Sequence, residues 1–201
     1  RRKVRISKSR NRHRQFAYTV ELSEYDAEPP TRTWLLDELP DKINPELEAV
    51  ALYLIFGRWC GGEFSTPQKM GPNTAAAISR HSRMDFFPSP IEFYPKPIFR
   101  GARTVSFFTD LVHHEKGSLV SLDGAEWSGS IKSPSSLVIS SNTATFAAET
   151  LDGTPSLAVP VLLAEEMNAA EICVKDELIN IDDGVTDLMR QVGLSVFSAR
   201  S

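Results

Sequence analysis

Four side chains able to hold a metal ion or move a proton fall within six residues: Asp110, His113, His114 and Glu115. Imidazoles and carboxylates are common ligands of divalent metals, and histidine titrates near neutral pH. Neighbouring residues of a strand point to opposite faces, so His113 and His114 can share one ion only from a loop. Their spacing matches no established zinc motif. An exposed polar hairpin loop explains the cluster more simply, and no metal site is expected.

Cys60 is the second chemical candidate, in the run Arg58–Trp59–Cys60–Gly61–Gly62. Glycines let backbone amides approach an oxyanion, and a cysteine beside them resembles a nucleophile arrangement. The base would have to be His81, His113 or His114, brought close by folding. A cysteine after an apolar helix is more often a small core side chain. That reading is preferred, so no catalytic residue is assigned. A hydrolase or transferase of unfamiliar type, using His113 and His114 or Cys60, stands as the alternative function.

Ser140–Ser141–Asn142–Thr143 lies between a predicted strand and a predicted helix. Such a turn can offer amides and hydroxyls to an anion. It lacks the glycines and lysine of a phosphate loop, and Asn142 and Thr143 are adequate helix caps. Asp123–Gly124, Asp152–Gly153 and Asp183–Gly184 read as turns. The sequence has no calcium loop, dinucleotide fingerprint, nucleophile elbow or His-Glu-x-x-His motif. No cofactor is expected.

The strongest signal is electrostatic. Residues 1–14 hold Arg1, Arg2, Lys3, Arg5, Lys8, Arg10, Arg12 and Arg14, eight of the 22 Lys and Arg, and no acid. The other 187 residues carry 14 bases against 26 acids, a net charge of −12. A basic segment on an acidic body points to nucleic acid, an acidic protein surface or an assembly partner. The body's own acidic face can also neutralise it. Arg80, His81 and Arg83 form a second basic strip, with Arg100 and Arg103 further on. Phe86, Phe87, Phe93, Tyr94 and Phe99 lie among them. Bases interleaved with aromatics suit phosphate neutralisation with base stacking, although most aromatics belong to the core.

The expected function is therefore a non-catalytic binding or assembly protein. Its basic N-terminal hairpin, with Arg80 and Arg83, would contact nucleic-acid phosphates or an acidic protein partner. A homo- or hetero-oligomer is compatible with this reading.

These residues need a scaffold, and 201 residues suffice for one domain with a real core. The hydrophobic fraction of 41% and charged fraction of 24% argue against global disorder. The longest apolar run, residues 49–56, is far short of the roughly 20 residues of a membrane helix. No membrane partner and no secretory signal are expected. Cys60 and Cys173 lack a C-x-x-C spacing and fit a reducing, intracellular and cytoplasmic setting. A single long-range bridge between them stays open.

Alternation of Val4 and Ile6, then of Phe16, Tyr18, Val20 and Leu22, predicts a β-hairpin with its charge on one face and at the tip. Residues 23–43 read as irregular. Asn44 as N-cap, Pro45 in the first turn and the stripe Leu47, Val50, Ala51, Leu54, Ile55 predict a central helix over 45–56, ended by Gly57. Glu46 and Glu48 suit its dipole. Residues 61–101 are rich in turns, with a short helix over 74–80 and an edge strand or loop over 91–94. Two strands, 104–109 and 119–122, follow around a loop. Thereafter strands at 137–139, 172–174 and 194–197 alternate with helical segments at 143–150, 157–167 and 183–192. The fold class is α/β or α+β in a single domain, 1–201: a basic hairpin (1–25), a mixed part (26–130) and an α/β part (131–201).

Overall fold

The computed structural model describes residues 3–83, 85–111, 115–125, 128–133 and 136–199. Arg1, Arg2, His113 and His114 lie outside the described residues. The chain is mixed α/β. Antiparallel strands β1 (Lys3–Arg10), β2 (Phe16–Glu21) and β3 (Thr33–Leu36) come first. Then follow α1 (Pro45–Phe56), β4 (Gly62–Met70), α2 (Pro72–Ser82) and β5 (Phe86–Ile91). The later part contains β6 (Arg103–Phe108), β7 (Ser118–Asp123), β8 (Ser130–Lys132), β9 (Ser136–Ser141) and α3 (Thr143–Ala147). It closes with α4 (Ala158–Leu162), β10 (Ala169–Val174), α5 (Asp183–Gln191) and β11 (Ser195–Ser198).

Among the described residues eleven strands form one sheet in the order β11-β10-β6-β7-β9-β3-β2-β1-β4-β5, with β8 on β9. α1 packs on β4, α4 and α2; α2 covers β5; α5 covers β11; and α2 also meets α5. The helices covering the two sheet edges thus touch each other, and α1 is enclosed by β4, α2 and α4. This is why every residue from Leu47 to Phe56 is buried. Each fully buried Leu, Ile or Phe there contributes about 1.5–3 kcal/mol. Asn44 caps the helix as expected, its Oδ1 accepting from Glu46 N (3.0 Å) and Leu47 N (3.3 Å). Gly57 keeps helical dihedrals, so the helix tightens into a 3-10 turn over Gly57–Trp59 and does not stop at Gly57.

Several expectations change. Residues 23–43 contain β3, which joins the two halves of the sheet through Leu36 and Ser141. The turn-rich stretch contains β4, nine residues long despite Pro67. The strand expected at 91–94 lies at Phe86–Ile91, on the sheet edge where Pro88 and Pro90 cost no ladder bond. β6 and β7 pair in parallel, so the loop between them is not a hairpin loop. The helix expected over 157–167 ends at Leu162. Cys60 and Cys173 are both free and buried. No helix among the described residues is long and apolar enough to cross a membrane.

Candidate binding cleft

The basic hairpin is built into the sheet. Lys3 to Arg5 pair with β4 on one side, and Arg5 to Arg10 pair with β2 on the other. β4 pairs with β1 only as far as Ser65. The outer half of β1, from Ser7 onward, therefore has one strand neighbour only. Beside it opens a cleft of about 950 Å³. Its lining runs from Lys8, through residues 41–44 ahead of α1, Pro45 and Glu46 at its start and 67–69 of β4, to Glu92 and residues 94–97. It sits at the carboxyl ends of the parallel strands β1, β4 and β5, a common ligand position in α/β sheets.

Glu48 forms the floor, 1% exposed in the first turn of α1. Tyr18 Oη donates to its Oε2 (2.8 Å), and Gln68 Nε2 donates to its Oε1 (3.2 Å). Burial pushes the Glu48 carboxyl up from its ordinary range, against the opposing effects of Tyr18, Gln68 and the Lys8 charge. Burial, and then the Glu48 charge, also raises the Tyr18 phenol. Glu46 Oε1 accepts from Gly71 N (2.7 Å), fixing the start of α2. Its buried Oε2 has no partner among the described residues.

Both charge signs line the cleft. Lys8, Lys42, Lys69 and Lys96 face Asp41, Glu46, Glu92 and Glu165, with Glu48 shifted toward its neutral form. The positive excess comes from the hairpin beyond Lys8. Period two puts Lys8 and Arg10 on the face of Val4 and Ile6, and Lys3 and Arg5 on the other face. The charge is thus split between two faces and the tip, not carried on one face. Phe16 draws the inner pair together: Arg10 Cζ lies 4.4 Å and Lys8 Nζ 5.4 Å from its ring centroid. Arg12, His13 and Arg14 are exposed on the turn. That turn is fixed by Asn11 Oδ1, which accepts from His13 N and Gln15 N, and by Gln15 Nε2 donating to Asp37 Oδ1 (2.7 Å). Lys3 pairs with Glu63 at 3.3 Å. Arg5, Arg12 and Arg14 form no ion pair among the described residues.

The aromatics divide. Phe86 is core, whereas Phe93 (76% exposed) and Tyr94 (92%) stand out at the cleft end of β5. Arg80 and Arg83 are exposed at the far end of α2, which returns to the level where Phe86 meets Gly62. That end of the sheet is opposite the hairpin tip, so the structure does not bring them to the hairpin. They line a separate hollow with His81, Asp182 and Arg190.

Cys60 is 2% exposed, and burial followed by the Asp26 charge pushes its thiol up to about 12. A nucleophilic cysteine needs the opposite shift. His81 is engaged elsewhere, its Nδ1 lying 2.7 Å from Tyr53 Oη, and burial lowers its pKa. No described group of three His, Cys, Asp or Glu is arranged to hold a metal ion. Asn142 does not cap α3: its Oδ1 accepts from Leu35 N and its Nδ2 donates to Thr33 O, both at 2.8 Å.

Sequence reasoning assigned Glu48 only to the helix dipole. The signal for its burial was available, because from Leu47 onward the helix is apolar on every side and leaves Glu48 no solvent face.

The chain matches no protein-family model, and neither curated proteins nor solved structures include one similar to it.

Proposed function

We propose that the protein is a non-catalytic binding protein for single-stranded nucleic acid, held by the phosphates along the basic hairpin. One observation carries this reading: Lys8, Arg10, Arg12 and Arg14 continue a cleft whose far rim bears the exposed Tyr94 between Glu92 and Lys96. Cations placed along a line neutralise a phosphate backbone, and an exposed ring stacks on any base. The acidic remainder of the surface repels a polyanion and confines it to this end.

The test is fluorescence anisotropy with a labelled poly-uridine oligonucleotide across roughly 50–200 mM salt, where phosphate-driven binding falls steeply. The variant Arg10→Ala/Arg12→Ala/Arg14→Ala should bind far more weakly. The reading fails if affinity is flat across this salt range. It also fails if the triple variant binds as the parent does but loses self-association or contact with an acidic protein.

A further inference from the structure

The later strands form a parallel set in the order β11-β10-β6-β7-β9. The chain enters at β6, steps outward to β7 and β9, then crosses back to β10 and on to β11. Its direction reverses between β6 and β10. In open α/β sheets, ligand crevices lie outside the carboxyl ends of the strands at such a reversal.

The register shows what the sequence puts there. Val174, Phe107, Leu119 and Leu137 form one row across four strands, and all are buried in the main core. Toward the strand ends the same face continues as Ser121, Asp123 and Ser141, and Thr109 and Asp176 follow just beyond β6 and β10. These five polar side chains line a cavity of about 470 Å³. That volume is within the range of small-molecule sites, roughly 300–1,000 Å³. A face that is apolar along its length becomes polar at the switch point and encloses space.

The polar groups are oriented. Thr109 Oγ1 donates to Asp176 Oδ2 (2.7 Å), and Leu178 N donates to Asp176 Oδ1 (2.8 Å). Trp34 Nε1 donates to Thr143 Oγ1 (2.8 Å), which lies 2.7 Å from Ser141 Oγ; Ser141 Oγ is 3.4 Å from Ser121 Oγ. An indole N–H is only a donor. Thr143, Ser141 and Ser121 thus form a chain of hydroxyls running from the buried indole to the cavity, where Ser121 can donate to or accept from a ligand.

We propose that this crevice is a binding site for an unphosphorylated nucleoside. Among the described residues its charged lining groups are Asp123 and Asp176, with no Lys or Arg. β7 and β10 flank β6, so the two carboxylates reach the crevice from either side of it. They accept from sugar hydroxyls or an exocyclic amine and repel a phosphate. The Ser121 hydroxyl, which can donate or accept, meets a polar edge of the base. Ala144, Ala147 and Ala148, which also line the cavity, leave a low wall for a flat ring.

The experiment is isothermal titration of the full chain with adenosine, guanosine, cytidine and uridine, alongside AMP and ATP. At least one nucleoside should bind, and its 5′-phosphates should bind more than about tenfold more weakly, because like charges meet. Asp123→Asn keeps the bond from Ala125 N to Oδ1 and should weaken nucleoside binding roughly tenfold. Ala148→Trp, at an exposed position, should fill the crevice and abolish binding with an unchanged melting curve. The hairpin variant Arg10→Ala/Arg12→Ala/Arg14→Ala should bind the nucleoside as the parent does. Four outcomes each overturn the proposal: no nucleoside binding at millimolar concentration, AMP or ATP binding as tightly, parental binding by both crevice variants, or loss of nucleoside binding in the hairpin variant.

Discussion

Tyr18 Oη donates to Glu48 Oε2 at 2.8 Å, so the second strand of the hairpin is bonded to the first turn of the central helix. Lys8, the cross-strand partner of Tyr18, opens onto the same cleft. The bond lets one acid sit in the stretch Leu47–Phe56, which is otherwise apolar and buried throughout.

Glu48 makes stability depend on pH in a stated direction. Burial raises its folded pKa above the ordinary 4.5. The folded state then holds its proton where the unfolded state has lost it, so stability falls as pH rises from 4.5 through the folded pKa. Each pKa unit corresponds to about 1.4 kcal/mol. Glu48→Gln removes this dependence. Urea denaturation should show the variant gaining on the parent between acidic and neutral pH. A constant difference across that range would mean that Glu48 is charged in the fold.

Tyr18→Phe removes the donor and leaves Glu48 Oε2 in the interior without it. The cost of an unsatisfied buried acceptor is about 1–3 kcal/mol. Because the loss is larger for the ionised carboxylate, the midpoint of urea unfolding should drop more at neutral pH than at acidic pH.

The central helix was legible because four independent signals agreed on it: Asn44, Pro45, the acids of the first turn and the apolar run behind them. α5 was legible from the spacing of Val185, Leu188, Met189 and Val192. β3 was not, since Thr33–Leu36 gives four residues with no clear alternation between prolines. β4 was hidden by Pro67 and its flanking glycines. Pairing was the larger gap. Nothing local tells β6 that it will lie parallel to β7 across a connection of nine residues. Nor does local pattern reveal that Asp123 and Ser141, which end adjacent strands, meet Asp176, which follows β10, around one crevice. The hairpin itself was read correctly, but its central place in the sheet was not, because β4 was missing from the reading.

Cys60 should behave as a core atom. With its thiol raised to about 12, almost none is thiolate near neutral pH. Iodoacetamide at mildly alkaline pH should leave both buried cysteines unlabelled in the folded chain and label both in denaturant. Rapid labelling of folded Cys60 would revive it as a nucleophile.

Gly193 follows α5 with φ of +83°, and a Cβ there would come within 2.5 Å of Phe99 O and 3.0 Å of Ile98 Cγ2. Both neighbours belong to the segment that leads from the cleft to β6. Gly193→Ala therefore combines left-handed strain with a clash against backbone, and should cost at least about 1–3 kcal/mol. Chemical denaturation reads the loss. Stability within a few tenths of the parent would show that the segment yields freely.

Charge and stacking at the cleft are separable by salt. Each neutralised phosphate of a single strand contributes about −0.7 to the slope of log affinity against log salt. Arg12→Ala/Arg14→Ala, which removes two exposed cations from the hairpin turn, should flatten that slope by about 1.4. Tyr94→Ala removes a ring that is 92% exposed and carries no charge. Its expected cost is about 1–3 kcal/mol of oligonucleotide affinity with the slope unchanged. Anisotropy titrations at several salt concentrations give both quantities for each variant. If Tyr94→Ala changes the slope, or the arginine pair changes affinity without changing it, cations and ring do not act on one strand as proposed.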